Sequence, residues 1–256
     1  MTAELVRGQN HPLPDTRLEI RVSAGVPVAA GATLTDVNGR AAGADWVAHP
    51  GAPCLPGVEV SRQAAAQHRL ALDLEAVTET AHRVSVLLAL PAGIGGPDRF
   101  GAVAAPFVAV TGLDGTEIAS FTLTGLDSES AVVALELYRR QGAWKVRAVG
   151  QGYEDGLTAL LHDQGLDGAA EVAAAIQEAV TRGADRSVAP PPPRTAQPER
   201  HRTPATAPSR PVPPPTGGPA STGGSSRANP THTTGPNPPA GSSPGAAGRP
   251  LGPDHA

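Results

Sequence analysis

The residue with the greatest intrinsic reactivity is Cys54, the only cysteine among the 256 residues. It lies in the stretch HPGAPCLPG, and His49 stands just before that proline-rich turn. A thiol reacts with soft oxidants as the thiolate, which a neighbouring imidazole can favour. That chemistry would suit redox or oxyanion detoxification, but it requires a lowered thiol pKa that spacing does not encode. We interpret Cys54 as an incidental loop cysteine and keep thiol chemistry as an alternative.

Other catalytic and metal-binding patterns are missing from the sequence. A single cysteine excludes an internal disulfide framework and a cysteine-cluster metal site. The histidines of residues 1–186 are scattered without metal-ligand spacing, and no Gly-x-Ser-x-Gly elbow occurs. The stretch GQGYEDG at 150–156 lacks the Gly-x-Gly-x-x-Gly spacing of a dinucleotide site. We predict no enzymatic activity, no catalytic residue, no metal ligand and no cofactor.

The most regular stretch, LELYRRQGAWKVRAVGQGY at 135–153, predicts a β-hairpin. A tight turn at Gln141-Gly142 suits the positive φ that hairpin turns require. Because side chains alternate between the faces of a strand, aliphatic pairs share one face and charged pairs the other. The predicted register pairs Arg140 with Ala143, Tyr138 with Lys145, Leu137 with Val146, Glu136 with Arg147, and Leu135 with Ala148.

The charged and aromatic residues of this hairpin are candidates for partner binding. Trp144 is in register with the aliphatic positions, so we expect it on or beside the core. We interpret Glu136 and Arg147 as an exposed cross-strand ion pair that contributes roughly 0.2–1 kcal/mol. Tyr138 and Lys145 are the better candidates for surface contact. The predicted interaction residues are Glu136, Tyr138, Arg139, Lys145 and Arg147.

Short alternating segments with turn signals between them predict a mainly β protein, an antiparallel β-sandwich with one or two C-terminal helices. The predicted strands cover 17–22, a stretch at 31–41 that ends in an Asn-Gly turn, 69–74, 83–90 (a central strand) and a strand–turn–strand over 106–123. One predicted helix follows Glu154 and ends at Gly165. A second covers 167–183, ends at Gly183 and docks on the sheet, with self-association as the alternative.

Composition divides the chain into a folded part and a tail. All seven aromatic residues precede residue 154, and residues 187–256 are rich in Pro, Gly and Ser. Such a segment cannot bury enough apolar surface to offset the entropy of ordering it. We therefore predict a β domain at 1–166, a helical extension at 167–186 and a disordered proline-rich tail at 187–256.

Charge divides the chain in the same way. The tail carries six arginines and two acids, whereas the whole chain has a net charge of −4, so residues 1–186 carry −8. An acidic domain is a poor nucleic-acid binder, because phosphate contacts require Lys and Arg. No apolar stretch has the length of a signal peptide core or a membrane span. We expect a cytoplasmic protein with protein partners, and leave self-association and peripheral contact with an anionic surface open.

Residues 136–165, ELYRRQGAWKVRAVGQGYEDGLTALLHDQG, closely resemble the C-terminal signature of the TerD family of tellurium-resistance and stress-response proteins. The upstream segment FGAVAAPFVAVTGLDGTEIASFTL at 100–123 is also similar to that family. The resemblance covers most of residues 15–165 and implies a β-sandwich. It also implies a stress-response function, which we expect to be exerted by binding partners rather than by catalysis.

Typical members of that family bind calcium through clustered acids, and here the corresponding segments differ. The matching stretches GVPVAAGATL (25–34) and SRQAAAQHRL (61–70) contain neither Asp nor Glu. Calcium requires six to eight oxygen ligands, several of them carboxylates. Asp36 and Asp45 lie nearby, but two acids separated by a turn make a weak site. We predict degenerate calcium sites, with a calcium-binding module using ligands from other loops as the alternative.

Overall fold

The computed structural model describes residues 2–93 and 95–188, with side chains as far as residue 184. Twelve strands and two α-helices occur in these residues. The elements are β1 (Ala3–Leu5), β2 (Asn10–Pro12), β3 (Arg17–Thr35), β4 (Val47–Ala48), β5 (Cys54–Leu55), β6 (Val58–Glu59), β7 (Ala65–Asp73), β8 (Arg83–Ala89), β9 (Phe107–Gly112), β10 (Glu117–Thr122), β11 (Ala131–Arg140), β12 (Ala143–Tyr153), α1 (Gly156–Asp163) and α2 (Ala169–Val188).

The strands form one hydrogen-bonded network in the order β1-β10-β9-β3-β8-β11-β12-β2, with β4 to β7 paired beside it. The mainly β prediction is confirmed, and the pairings are antiparallel except for β1 with β10. The two separate sheets of a sandwich are not confirmed. The reason is β3, whose first half pairs with β7 and β9 and whose second half pairs with β8.

The strand β3 runs for 19 residues, where the sequence predicted one strand at 17–22 and another at 31–41. The chain bends within it rather than leaving the sheet. Gly25 adopts a φ of 70°, and the pairing with β7 shifts register between Ser23 and Val28. Glycine adopts such a positive φ without the steric cost that other residues meet. The bend carries one strand from one half of the sheet to the other.

The strand β8 lies between β3 and β11, so its prediction as a central strand is confirmed. Its residues from Val84 to Ala89 are all buried. A strand covered on both faces reads as a continuous apolar run, which is the pattern seen in its sequence. One face contributes to an inner core that also contains Leu18, Ile20, Leu70, Leu72, Val108, Val110, Leu135, Leu137 and Val146.

The other face of β8 and β11 supports the two helices. Leu157, Leu160 and Leu161 of α1 pack there together with α2. In α2, Val172, Ile176 and Val180 are 7, 3 and 1% exposed, so the predicted apolar spacing docks the helix on the sheet. The predicted end at Gly183 is wrong, because α2 continues to Val188. A glycine inside a helix costs about 1 kcal/mol relative to alanine and does not by itself end the helix.

The predicted disordered tail lies almost wholly at residues 189–256, outside the described part of the chain. Among the residues that are described, neither helix is long and apolar enough to cross a membrane.

Candidate functional site

The hairpin of β11 and β12 has the register predicted from the sequence, from Arg140 opposite Ala143 to Leu135 opposite Ala148. Its turn residues Gln141 and Gly142 have φ values of 54° and 77°. Positive φ at both central residues is the type I′ geometry, whose twist matches that of the flanking strands. The turn therefore fixes which side chains of the hairpin share a face.

A buried carboxylate organises the polar face of this hairpin. Glu136 is 8% exposed, although its sequence suggested an exposed ion pair. Arg147 Nη2 donates to Glu136 Oε1 at 3.0 Å, and Arg83 Nη1 lies 3.7 Å from Oε2. Arg83 belongs to β8, and its register partner on the neighbouring strand β11 is Tyr138. This pairing places a second cation beside the carboxylate of Glu136. Two guanidinium groups thus compensate one buried negative charge.

Tyr138 and Lys145 complete this surface. The guanidinium of Arg147 lies 5.9 Å from the centre of the Tyr138 ring, at the outer limit for a cation–π contact. Lys145 is half-buried, and its ammonium has no ion-pair partner among the described residues. We call Arg83, Glu136, Tyr138, Lys145 and Arg147 the hairpin patch. It carries three cations and one acid on a domain whose net charge is negative.

Arg139, the fifth predicted interaction residue, lies on the opposite face. Its guanidinium is 4.9 Å from the centre of the Trp144 ring, and its Nη2 donates to the carbonyl of Val77 at 3.0 Å. Trp144 is 9% exposed, so its predicted place beside the core is confirmed. Arg139 covers the edge of that core and does not join the other four predicted residues.

A second polar cluster lies where β12 leads into α1. The Tyr153 hydroxyl donates to Asp163 Oδ2 at 2.6 Å, and Gln151 Nε2 donates to the Tyr153 oxygen at 2.7 Å. Burial and the adjacent carboxylate raise the pKa of Tyr153 above its ordinary value, which keeps the phenol protonated as a donor. The sequence does not predict this cluster, because Asp163 lies at the far end of α1 from Tyr153.

This cluster borders a groove of about 850 Å³ between the two helices. We call it the acidic groove, because four of its lining residues are acids: Asp155, Asp163, Asp167 and Glu171. Leu166 and Ala169 contribute apolar lining. The sequence predicts no site for these four acids.

Cys54 is exposed on the short strand β5. His49, the imidazole considered as its activator, is 9% exposed, and its Nδ1 accepts a hydrogen bond from the Gly51 N–H at 3.2 Å. Burial lowers the pKa of His49, so the ring is neutral near pH 7 and supplies no positive charge to a thiolate.

The two segments compared with calcium loops lie largely in strands, residues 25–34 within β3 and residues 65–70 within β7. Asp36 is engaged by its own turn, where its Oδ1 accepts from the N–H groups of Asn38 and Arg40. Within residues 2–93 and 95–188, no three His, Cys, Asp or Glu side chains are grouped to hold a metal ion. The degenerate calcium sites stay a prediction.

Comparison with known proteins gives a family-model match and several sequence relatives. The TerD domain model matches residues 57–163. The Tellurium resistance protein TerD of Serratia marcescens is 33% identical over 100 residues, which are 38% of this chain and 52% of that protein. The Chemical-damaging agent resistance protein B of Clostridium acetobutylicum is 30% identical over 98 residues, which are 38% of this chain and 70% of that protein.

General stress protein 16U of Bacillus subtilis is 31% identical over 97 residues, covering 37% of this chain and 50% of that protein. The chain thus spans about half the length of several curated relatives that it matches. A solved homologue of telluride resistance protein (TerD) from Streptomyces coelicolor has a TM-score of 0.46 at 17% identity, over 57% of this chain and 95% of that one. On the family model and the sequence relatives, the chain belongs to the TerD domain family.

Proposed function

We propose that this chain is a non-enzymatic stress-response protein of the tellurium-resistance type, and that it acts by binding proteins through the hairpin patch. The stress role is supported by the relatives, which are named for resistance to tellurium, to chemical damage or to general stress. The hairpin patch supports the second part of the proposal, that the chain acts by binding proteins.

The single observation that carries this proposal is the arrangement around Glu136. The buried carboxylate accepts a hydrogen bond from Arg147 and lies within ion-pair distance of Arg83, and the hairpin register places Tyr138 beside them. Tyr and Arg are among the residue types enriched at the positions that contribute most binding energy in protein interfaces, because they combine large contact area with directional hydrogen bonds. Pre-ordered side chains also lose little conformational entropy on binding. The patch therefore has the chemistry of a protein-binding surface.

A catalytic function has less support. The only thiol, Cys54, is exposed, and the nearby imidazole of His49 is neutral and bonded to its own turn. A nucleophile requires a base within hydrogen-bond reach or a lowered pKa. We therefore keep the non-enzymatic proposal, with degenerate calcium sites and a cytoplasmic location as further parts of it.

The test is complementation of a bacterial strain that lacks its own TerD-family gene. The full chain should restore growth on tellurite, and Lys145→Glu should lose most of that tolerance because it reverses the charge of the unpaired ammonium. Arg62→Glu makes the same charge change at an exposed loop residue outside the patch and should complement normally. Equal tolerance with both variants, each present at wild-type level, would refute the role of the hairpin patch.

A further inference from the structure

Two oppositely charged surfaces lie on one face of β12. Alternate residues of the strand share this face: Lys145, Arg147, Val149, Gln151 and Tyr153. Lys145 and Arg147 belong to the hairpin patch, while Gln151 and Tyr153 are hydrogen-bonded to Asp163 of the acidic groove. Lys145 and Tyr153 are eight residue steps apart, so a rise of about 3.3 Å per residue separates them by about 26 Å. The face is therefore positive at one end and negative at the other.

The groove end and the patch end of this face also differ in height above the sheet. At the groove end, α1 and α2 pack over Leu87, Ala89 and Val133. At the patch end, Arg83 and Arg147 have 37% and 42% of their side-chain surface exposed. A helix adds a layer of about 10 Å to a sheet, so one end is raised and the other is low.

We propose that this face binds the same face of a second copy of the chain across a two-fold axis close to Val149. In this arrangement the hairpin patch of each copy contacts the acidic groove of the other, and each helical layer rests on the low end of its partner. The proposal rests on the proposed function, since it names a second copy as a protein that the hairpin patch binds.

Symmetry and charge together favour this occupant. A two-fold axis requires a surface that is complementary to itself, and a face with opposite charges at its two ends meets that requirement when the copies run in opposite directions. Charges on both sides are available for such contacts. Lys145 of the hairpin patch and Asp167 and Glu171 of the acidic groove form no ion pair among the described residues. The two-fold symmetry forms the contact between hairpin patch and acidic groove twice, and the arrangement closes at two copies.

The test is sedimentation velocity of the full chain at several protein concentrations, in low salt and then at about 0.5 M salt, where exposed charges are screened. The wild-type chain should form a dimer that dissociates as salt rises. Lys145→Glu and Glu171→Lys should each weaken dimerisation about tenfold, because each reverses a charge at both contacts. Arg62→Glu should leave the dimer unchanged.

The decisive sample is an equimolar mixture of Lys145→Glu and Glu171→Lys. In a mixed dimer the reversed charges face each other at one contact and the original charges at the other, so association should return to nearly the wild-type level. This readout also shows that neither variant is misfolded. The proposal would be overturned by a wild-type chain that stays monomeric in low salt, by assemblies that grow beyond two copies, or by a mixture that associates no better than its components.

The two proposals fail in different ways. A monomeric wild-type chain whose Lys145→Glu variant still loses tellurite tolerance would overturn the self-association and leave the hairpin patch bound to another protein. A salt-sensitive dimer whose Lys145→Glu variant keeps full tolerance would overturn the proposed function of the patch in stress resistance.

Discussion

Replacing Glu136 with glutamine removes one buried negative charge and preserves the shape of the side chain. The side chain of Glu136 is 11% exposed, and its carboxylate compensates Arg147 at 3.0 Å and Arg83 at 3.7 Å. Removing one partner from a fully buried ion pair costs about 3–5 kcal/mol. Because the two arginine side chains are 37% and 42% exposed, water screens part of the unbalanced charge. We expect Glu136→Gln to lower the free energy of unfolding by about 1–2 kcal/mol.

A matched control is present in α2, where Glu178 accepts from Arg182 at 2.6 Å. This pair is shorter than either contact of Glu136, but the side chains of Glu178 and Arg182 are 73% and 56% exposed. Exposed pairs four residues apart on a helix contribute only about 0.3–0.5 kcal/mol. Glu178→Gln should therefore change stability much less than Glu136→Gln, although its hydrogen bond is the shorter one.

The assay is urea unfolding of both variants at pH 7. With a denaturant slope of about 2 kcal/mol per molar, Glu136→Gln should lower the midpoint by about 0.5–1 M, and Glu178→Gln by about 0.2 M. Equal shifts of the two urea midpoints would mean that burial does not decide how much these ion pairs contribute to stability. A Glu136→Gln variant as stable as the wild type would refute the reasoning that the carboxylate holds the hairpin patch together.

Four further predictions concern other parts of the chain. Gly150→Ala should destabilise the fold by about 1–3 kcal/mol, because the φ of Gly150 is 62° and a Cβ there would lie 3.1 Å from a buried aromatic ring. Gly142 has a φ of 77° and open space around it, so Gly142→Ala should destabilise the fold less in the same urea assay. Burial lowers the pKa of His49 and His68, so the unfolded chain binds more protons than the folded chain below about pH 6.5. The contribution of these histidines to the free energy of unfolding should be complete above pH 6.5 and decrease as pH falls below about 6.5, with a smaller decrease in His68→Leu. A urea midpoint that stays constant from pH 7.5 to 5.5 would contradict this. Cys54→Ser should leave tellurite tolerance unchanged, and a loss would restore the thiol-dependent alternative. Calorimetric titration with calcium should give no heat and no shift in melting temperature up to about millimolar concentration, since a ligand that binds the folded state raises its stability; micromolar binding would establish the calcium-binding alternative.

The hairpin was predictable in detail because its information is local. A two-residue turn at Gln141-Gly142 fixes every later pair, and alternation then assigns each side chain to a face. The apolar spacing of Val172, Ile176 and Val180 likewise predicted a docked helix face. These elements depend on neighbours a few residues away.

The composition of the hairpin patch could not be predicted, because it depends on distant segments. Arg83 joins Glu136 only through the pairing of β8 with β11, which the sequence does not specify. The burial of Glu136 follows from that same pairing. Arg139 was assigned with the patch, whereas strand alternation places it on the face of Trp144. The sequence predicts separate strands at 17–22 and 31–41 and does not predict the bend at Gly25, since glycine signals a turn and a bulge equally well.

The central claim is that the hairpin patch binds protein in the cell, and photo-crosslinking tests it most directly. A photoreactive phenylalanine derivative at position 138 replaces Tyr138 with a side chain of similar size, and the same group at position 62 serves as the control. We expect protein adducts at position 138 during tellurite stress, no adducts at position 62, and loss of the adducts when Lys145→Glu is added. Adducts that form equally at both positions, or that persist with Lys145→Glu, would contradict it.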